Sequence, residues 1–140
     1  MINTIEELCE KLNVTEDKID WDEISHNQKL SEDFIEKYSQ KLNWVYISDF
    51  QKLSEGFIEK HSQKLNWYGG ISACQKVSED FIEKHSDILC WRYISKYQKL
   101  SEGFIEKHWD KVDWCYISEC QKLSRGFIEK HSDKLSAYFL

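Results

Sequence analysis

One period governs this chain. Tryptophans stand at Trp21, Trp44, Trp67, Trp91 and Trp114, at intervals of 23, 23, 24 and 23 residues. Ile24, Ile47, Ile71, Ile94 and Ile117 keep the same step, each followed by serine, and Gln28, Gln51, Gln75, Gln98 and Gln121 follow in turn. Next comes Leu-Ser-Glu-x-Phe-Ile-Glu-Lys, starting at Leu30, Leu53, Val77, Leu100 and Leu123, with Arg125 in place of the glutamate in the last copy. An inserted glycine at Gly69 and Gly70 is the single break in the count. A repeat this short is one supersecondary unit, unable to bury its apolar face except against its neighbours.

Each copy splits again. Leu42 aligns with Leu53, Asn43 with Ser54, Tyr46 with Phe57 and Ile47 with Ile58, so the elementary unit is one short helix. A small polar residue opens each helix and can accept bonds from its free N–H groups: Asp20, Asn43, Asn66 and Asp113 before the tryptophan helices, and Ser31, Ser54, Ser78, Ser101 and Ser124 before the phenylalanine helices. Phe57, Ile58, His61 and Leu65 fall on one face at helical spacing, as do Trp44, Ile47 and Gln51. Proline is absent and glycine scarce, at five residues, so nothing interrupts helices.

The expected fold is therefore all-α: an α-solenoid of five tandem two-helix repeats in a single domain, 1–140. Residues 1–19 form an N-terminal cap in which Thr4 and Glu7 make a capping box for a helix running towards Leu12. Copies begin near residues 20, 43, 66, 90 and 113, and 136–140 start a truncated helix with Ala137 in the tryptophan slot. Helices of about eight to ten residues are marginal alone in water and persist by stacking.

No apolar run is long enough for a membrane span, and the acidic start is unlike a signal peptide. Cys9, Cys74, Cys90, Cys115 and Cys120 are odd in number and lack C-x-x-C pairing, which fits free thiols and a cytoplasmic location. Of the net charge of −6, residues 1–36 hold eleven acids and three bases, a balance of −8, leaving +2 for the remainder.

The motif Trp-x-x-Ile-Ser-x-x-Gln-x-Leu-Ser-Glu-x-Phe-Ile, running over residues 21–135, resembles the short tandem-repeat proteins of large DNA viruses, phages and some bacteria. The resemblance implies a viral or mobile-element origin and action in host cytoplasm. It carries over no catalytic residue.

Three sets of columns invite chemistry. His61, His85, His108 and His131, with Tyr38 in the first copy, form a column that reads as half-buried packing, since it aligns with Phe50 in the other half-repeat; no metal is expected. Ser48, Gln51 and their equivalents recur in every copy, whereas catalysis needs one unique constellation; they read as helix-end and copy-to-copy partners. Lysines at Lys29, Lys52, Lys76, Lys99 and Lys122, and at Lys37, Lys60, Lys84, Lys107 and Lys130, offset helix dipoles or pair with adjacent glutamates. No cofactor-binding loop is present, and an enzyme is not expected.

What varies between copies carries the functional reading. Positions one and five residues after tryptophan read Asp22 and His26, Val45 and Asp49, Arg92 and Lys96, and Cys115 and Glu119, flanked by Tyr46, Tyr93 and Tyr116. Tyr68, Gly69 and Ala73 occupy this region of the third copy, and Trp109 is an added, exposed aromatic. Fixed framework with varied surface fits a non-enzymatic protein-interaction module, inhibiting a host protein by occlusion. The partner-binding candidates are Asp22, His26, Val45, Tyr46, Asp49, Arg92, Tyr93, Lys96, Tyr116 and Glu119. Alternatives are nucleic-acid binding along the same row, mimicry of nucleic acid by the acidic N-terminus, and self-association through Tyr138, Phe139 and Leu140.

Overall fold

The computed structural model describes residues 1–135. Among these are ten α-helices, one 3-10 helix, one π-helix and no strand. The chain divides into two compact units, Met1–Asn66 and Trp67–Leu140. The first holds α1 (Ile5–Leu12), a 3-10 turn (Glu16–Lys18), α2 (Trp21–Asn27), α3 (Glu32–Lys37), α4 (Trp44–Phe50) and α5 (Glu55–Lys60). The second holds the π-helix (Trp67–Cys74), α6 (Glu79–Lys84), α7 (Trp91–Tyr97), α8 (Glu102–Lys107), α9 (Trp114–Cys120) and α10 (Arg125–Lys130). Within each unit tryptophan helices pack on one another, α2 on α4, the π-helix on α7, and α7 on α9. The helix expected at 136–140, with Tyr138, Phe139 and Leu140, lies outside the described residues.

The repeat helices are six or seven residues long, apart from the π-helix, so they are shorter than their apolar spacing predicts. Capping and turn bonds set the ends. Ser31, Ser54, Ser78, Ser101 and Ser124 each accept the N–H of the phenylalanine three residues on. Asp20, Asn43 and Asp113 cap tryptophan helices in the same way, and Cys90 before α7 makes no such bond. After α5 the chain tightens, with His61 N–H donating to the Phe57 carbonyl at 3.0 Å and Lys64 N–H to the His61 carbonyl at 2.9 Å. This turn returns Leu65 to the core, where Ile47 and Ile58 have no exposed surface.

Inside a copy the core is aromatic. Trp44 stacks on Phe57 (centroids 6.3 Å, 14° between planes) and meets His61 at 5.2 Å. The set recurs as Trp67–Phe81–His85, Trp91–Phe104–His108 and Trp114–Phe127–His131, and Tyr38 substitutes for histidine against Trp21 and Phe34. A lysine covers the outer face of the indole: Lys41 over Trp21, Lys64 over Trp44, Lys111 over Trp91 and Lys134 over Trp114.

Between copies the bonds are polar. Helices this short leave much of the backbone in connections, and buried backbone groups there need partners. Gln51 supplies three: its amide donates to the Ser25 carbonyl (2.9 Å) and the Gln28 carbonyl (2.6 Å), and its oxygen accepts from Leu30 N–H (3.0 Å). Gln98 repeats this with Ser72, Gln75 and Val77, and Gln121 with Ser95, Gln98 and Leu100. Ser25 Oγ donates to the Trp21 carbonyl and accepts the N–H of Asn43; Ser95 does the same for Trp91 and Asp113. The opening glutamate of one phenylalanine helix caps the next, Glu32 on Ser54, Glu79 on Ser101 and Glu102 on Ser124. Arg125 stands in that column, cannot accept such a bond, and pairs with Glu129 instead.

Two features adapt the pattern. The extra residue of the third copy is absorbed as a π-helix: Ser72 Oγ bonds the Trp67 carbonyl five residues back, where Ser48 reaches four residues back to Trp44. Ile71 and Ser72 remain fully buried. At the N-terminus, Ser31 N–H is met by backbone instead of a glutamate: the Ile2 carbonyl accepts from it at 2.9 Å while Ile2 N–H donates to the Lys29 carbonyl at 2.6 Å. Thr4 caps α1 as expected, but the Glu7 carboxylate reaches Asn3 N–H, one residue before the cap.

Two predictions follow from these contacts. Gln98→Ala strands the Val77 N–H and two buried carbonyls and lowers unfolding free energy by about 3 kcal/mol, whereas Lys99→Ala on the exposed side changes it by less than about 0.5 kcal/mol; urea unfolding of both variants checks this. His61 is the second case. Burial holds its pKa below the ordinary 6.5, and its Nε2 has no hydrogen-bond partner. Because protonation is disfavoured in the folded state, stability is lost as pH falls through about 6.5. Glu36, Glu83 and Glu106 shift the other way: a bond from Lys60, from Lys107, and from His131 with Lys130 respectively holds each below 4.5, so their contribution is lost only in more acid solution. Between about pH 7.5 and about pH 5.5 the urea midpoint of the wild type therefore falls further than that of His61→Tyr, the residue Tyr38 already provides at this place in the first copy.

Candidate interaction surface

The recurring polar columns are committed to structure. The Ser25 and Ser95 hydroxyls are buried and bonded on both sides by backbone, an arrangement with no base to activate them. The histidines lie against tryptophan and phenylalanine rings; His108 is 8% exposed. Among the described residues no three His, Cys, Asp or Glu groups gather as a metal site, and no helix is long and apolar enough to cross a membrane. All five cysteines are free thiols.

Surface chemistry concentrates on the outer side of the tryptophan helices. The described chain has eight exposed large apolar side chains, Met1, Val45, Tyr46, Phe50, Tyr68, Ile88, Tyr97 and Trp109. Five of them, Val45, Tyr46, Phe50, Tyr68 and Tyr97, belong to tryptophan helices or the π-helix, which singles out this side from the rest of the surface.

In the first unit the row is an aromatic cluster with acidic edges. His26 meets Tyr46 edge-on at 5.3 Å and Phe50 at 5.7 Å, and Tyr46 meets Phe50 at 6.1 Å. Val45 is exposed beside them. Asp22 accepts a bond from the Asn43 side chain at 3.3 Å. Asp49 is half-buried, and burial raises its carboxyl pKa above the ordinary 3.8.

In the second unit the row is built of tyrosines and cations. Tyr93 joins Tyr68 (5.3 Å) to Tyr97 (6.0 Å). The Arg92 Nη2 donates to Tyr116 Oη at 3.1 Å with its guanidinium 5.3 Å from that ring. Lys96 stands 5.0 Å from the Tyr97 ring and 5.1 Å from the Tyr116 ring. Contact with Tyr116 raises the Arg92 pKa and contact with Tyr97 that of Lys96, so both stay cationic. A bond to Cys90 raises the Tyr68 phenol. Burial, reinforced by Glu119, raises the Cys115 thiol, and its sulfur lies 3.7 Å from the Glu119 carboxylate.

Of the sequence-based row, the structure brings His26 and Tyr46 together in the first unit and Arg92, Lys96 and Tyr116 together in the second, with corrections. Asp49 and Lys96, expected to face outward, are half-buried, as are Tyr93 and Tyr116, while Asp22, His26, Arg92 and Glu119 are exposed. The position six residues after tryptophan is the one sequence reasoning missed. Phe50 is 61% exposed and Tyr97 53%. Phe50 aligns with the packed His61, but the tryptophan helix ends there, and Gln51 turns into the core in its place. A signal was available: this column reads Asn27, Phe50, Tyr97 and Cys120, varying as the rest of the row does. No protein-family model, curated protein or solved structure matches the chain.

Proposed function

We propose that the chain is a non-enzymatic protein-interaction module, an α-solenoid whose tryptophan helices present their varied outer row to a partner protein. The observation that carries this reading is the division of labour among columns. The recurring Ser, Gln, Trp, Phe and His columns are spent on copy-to-copy bonds or on the aromatic core, whereas most of the exposed apolar groups collect where the copies differ. A tyrosine-rich, partly apolar row with scattered charge has the composition of protein-binding surfaces, in which a few aromatic and arginine anchors dominate the energy. The likeness of its motif to viral and phage repeats leads us to include in the proposal a viral or phage factor acting in host cytoplasm, where it occludes the surface of a host protein.

Affinity capture from cell lysate, with and without nuclease and quantified by mass spectrometry, tests the assignment. A nuclease-resistant partner is expected on the wild type, reduced about tenfold or more by Phe50→Ser combined with Tyr97→Ser and unaffected by Lys52→Ala combined with Lys99→Ala. Equal recovery on the Phe50 and Tyr97 variant contradicts the site. Recovery that disappears with nuclease transfers the row to nucleic acid.

A further inference from the structure

We infer that the second unit's part of this row takes an acidic peptide segment, its carboxylates on Arg92 and Lys96 and an apolar neighbour against Tyr68, Tyr93 and Tyr97. The inference rests on reading the outer row as an interaction face and specifies the chemistry of what occupies it.

Arg92 and Lys96 are the two cations among the candidates of this row. Elsewhere in the unit Lys107 pairs with Glu83, Lys130 with Glu106, Arg125 with Glu129 and Lys134 with Asp133. Arg92 and Lys96 make no ion pair with any described carboxylate; their partners are tyrosines. Asp113, the acid whose field reaches Arg92, spends its Oδ1 on capping α9 through Cys115 and Tyr116 N–H.

The geometry prepares Arg92 for a carboxylate. A guanidinium has five N–H donors, and one bond holds it on the Tyr116 ring. The exposed side chain is therefore fixed in direction while most of its donors remain unused, the condition under which a two-pronged carboxylate bond forms with little loss of freedom. Lys96, wedged between two rings, supplies a second positive charge beside it. Tyr68 on the π-helix, 63% exposed, and the exposed Tyr97 give apolar area linked through Tyr93.

Magnitude decides between an acidic peptide and a nucleic acid strand. Stacking rings with basic neighbours also suit single strands, but such binding draws on many phosphate contacts. On this row there are two cations, Arg92 and Lys96. Two cations match one or two carboxylates and are too few to hold a polyanion.

Selection of displayed random dodecapeptides on the full chain, followed by fluorescence anisotropy with the best synthetic peptide, tests the proposal. Selected peptides should be enriched in Asp or Glu next to aromatic or aliphatic residues and should bind more weakly as salt rises. Their dissociation constant should increase about tenfold or more in Arg92→Ala combined with Lys96→Ala, and again in Tyr97→Ala, but not in Phe50→Ala. An empty selection, or peptides without acidic enrichment, overturns it. So does tighter binding of oligo-deoxythymidylate that is lost in the same double variant. Peptides sensitive to Phe50→Ala and indifferent to Arg92 and Lys96 would defeat this inference while leaving the outer row as an interaction face; peptides indifferent to both sets would defeat both.

Discussion

A buried side-chain amide bonding to the backbone of the preceding copy is the interaction on which the rest of this structure depends. Helices of six or seven residues satisfy few of their own backbone groups, and the connections between them satisfy fewer. Burying such a chain without partners for those groups would cost about 1–3 kcal/mol for each. Gln51, Gln98 and Gln121 meet three backbone groups apiece. The serine after each core isoleucine and the opening glutamates Glu32, Glu79 and Glu102 meet further ones. Apolar burial drives the copies together, and these polar bonds specify the register in which they meet.

This arrangement explains which positions tolerate change. Glutamine is long enough, and carries both donor and acceptor, to reach three backbone groups at once; no other side chain in the repeat does so. Trp, Phe and His fill the space inside each copy, and a Tyr replaces the His at Tyr38 with the same ring contacts. Beyond these columns, the serines, the caps and the opening glutamates, few side chains are called on by the backbone. The outer row of the tryptophan helices is therefore free to carry different chemistry in each copy: His26 with Tyr46 and Phe50 in one unit, Arg92 and Lys96 among tyrosines in the other. Even an inserted residue is accepted, because the π-helix lets Ser72 keep its buried place.

Much of the fold was legible in the sequence because the repeat reports its own constraints. The period, the helix class, the serine caps and the structural role of the serine and glutamine columns could all be read from residues that recur. The helix lengths could not, since the bonds that end α5 depend on a turn whose residues, His61 to Lys64, have no strong breaker among them. The opposite fates of Phe50 and His61 were hidden for a related reason: the half-repeats align in sequence, but the tryptophan helix turns its final residue outward and sends Gln51 inward. The variable row was legible as a set of positions. Its division into an acidic aromatic cluster and a cationic tyrosine cluster was not, because ring-to-ring and cation-to-ring contacts join side chains about 24 residues apart, such as Arg92 with Tyr116.

Amide hydrogen exchange at Leu30, Val77 and Leu100 tests the central claim most directly, since these N–H groups lie outside any α-helix and their bonds are to glutamine side chains. Protection comparable to that of the helical core, lost selectively at Val77 when Gln98 is replaced by alanine, is the result this account predicts. Exchange at the rate of an open loop in the wild type would contradict it.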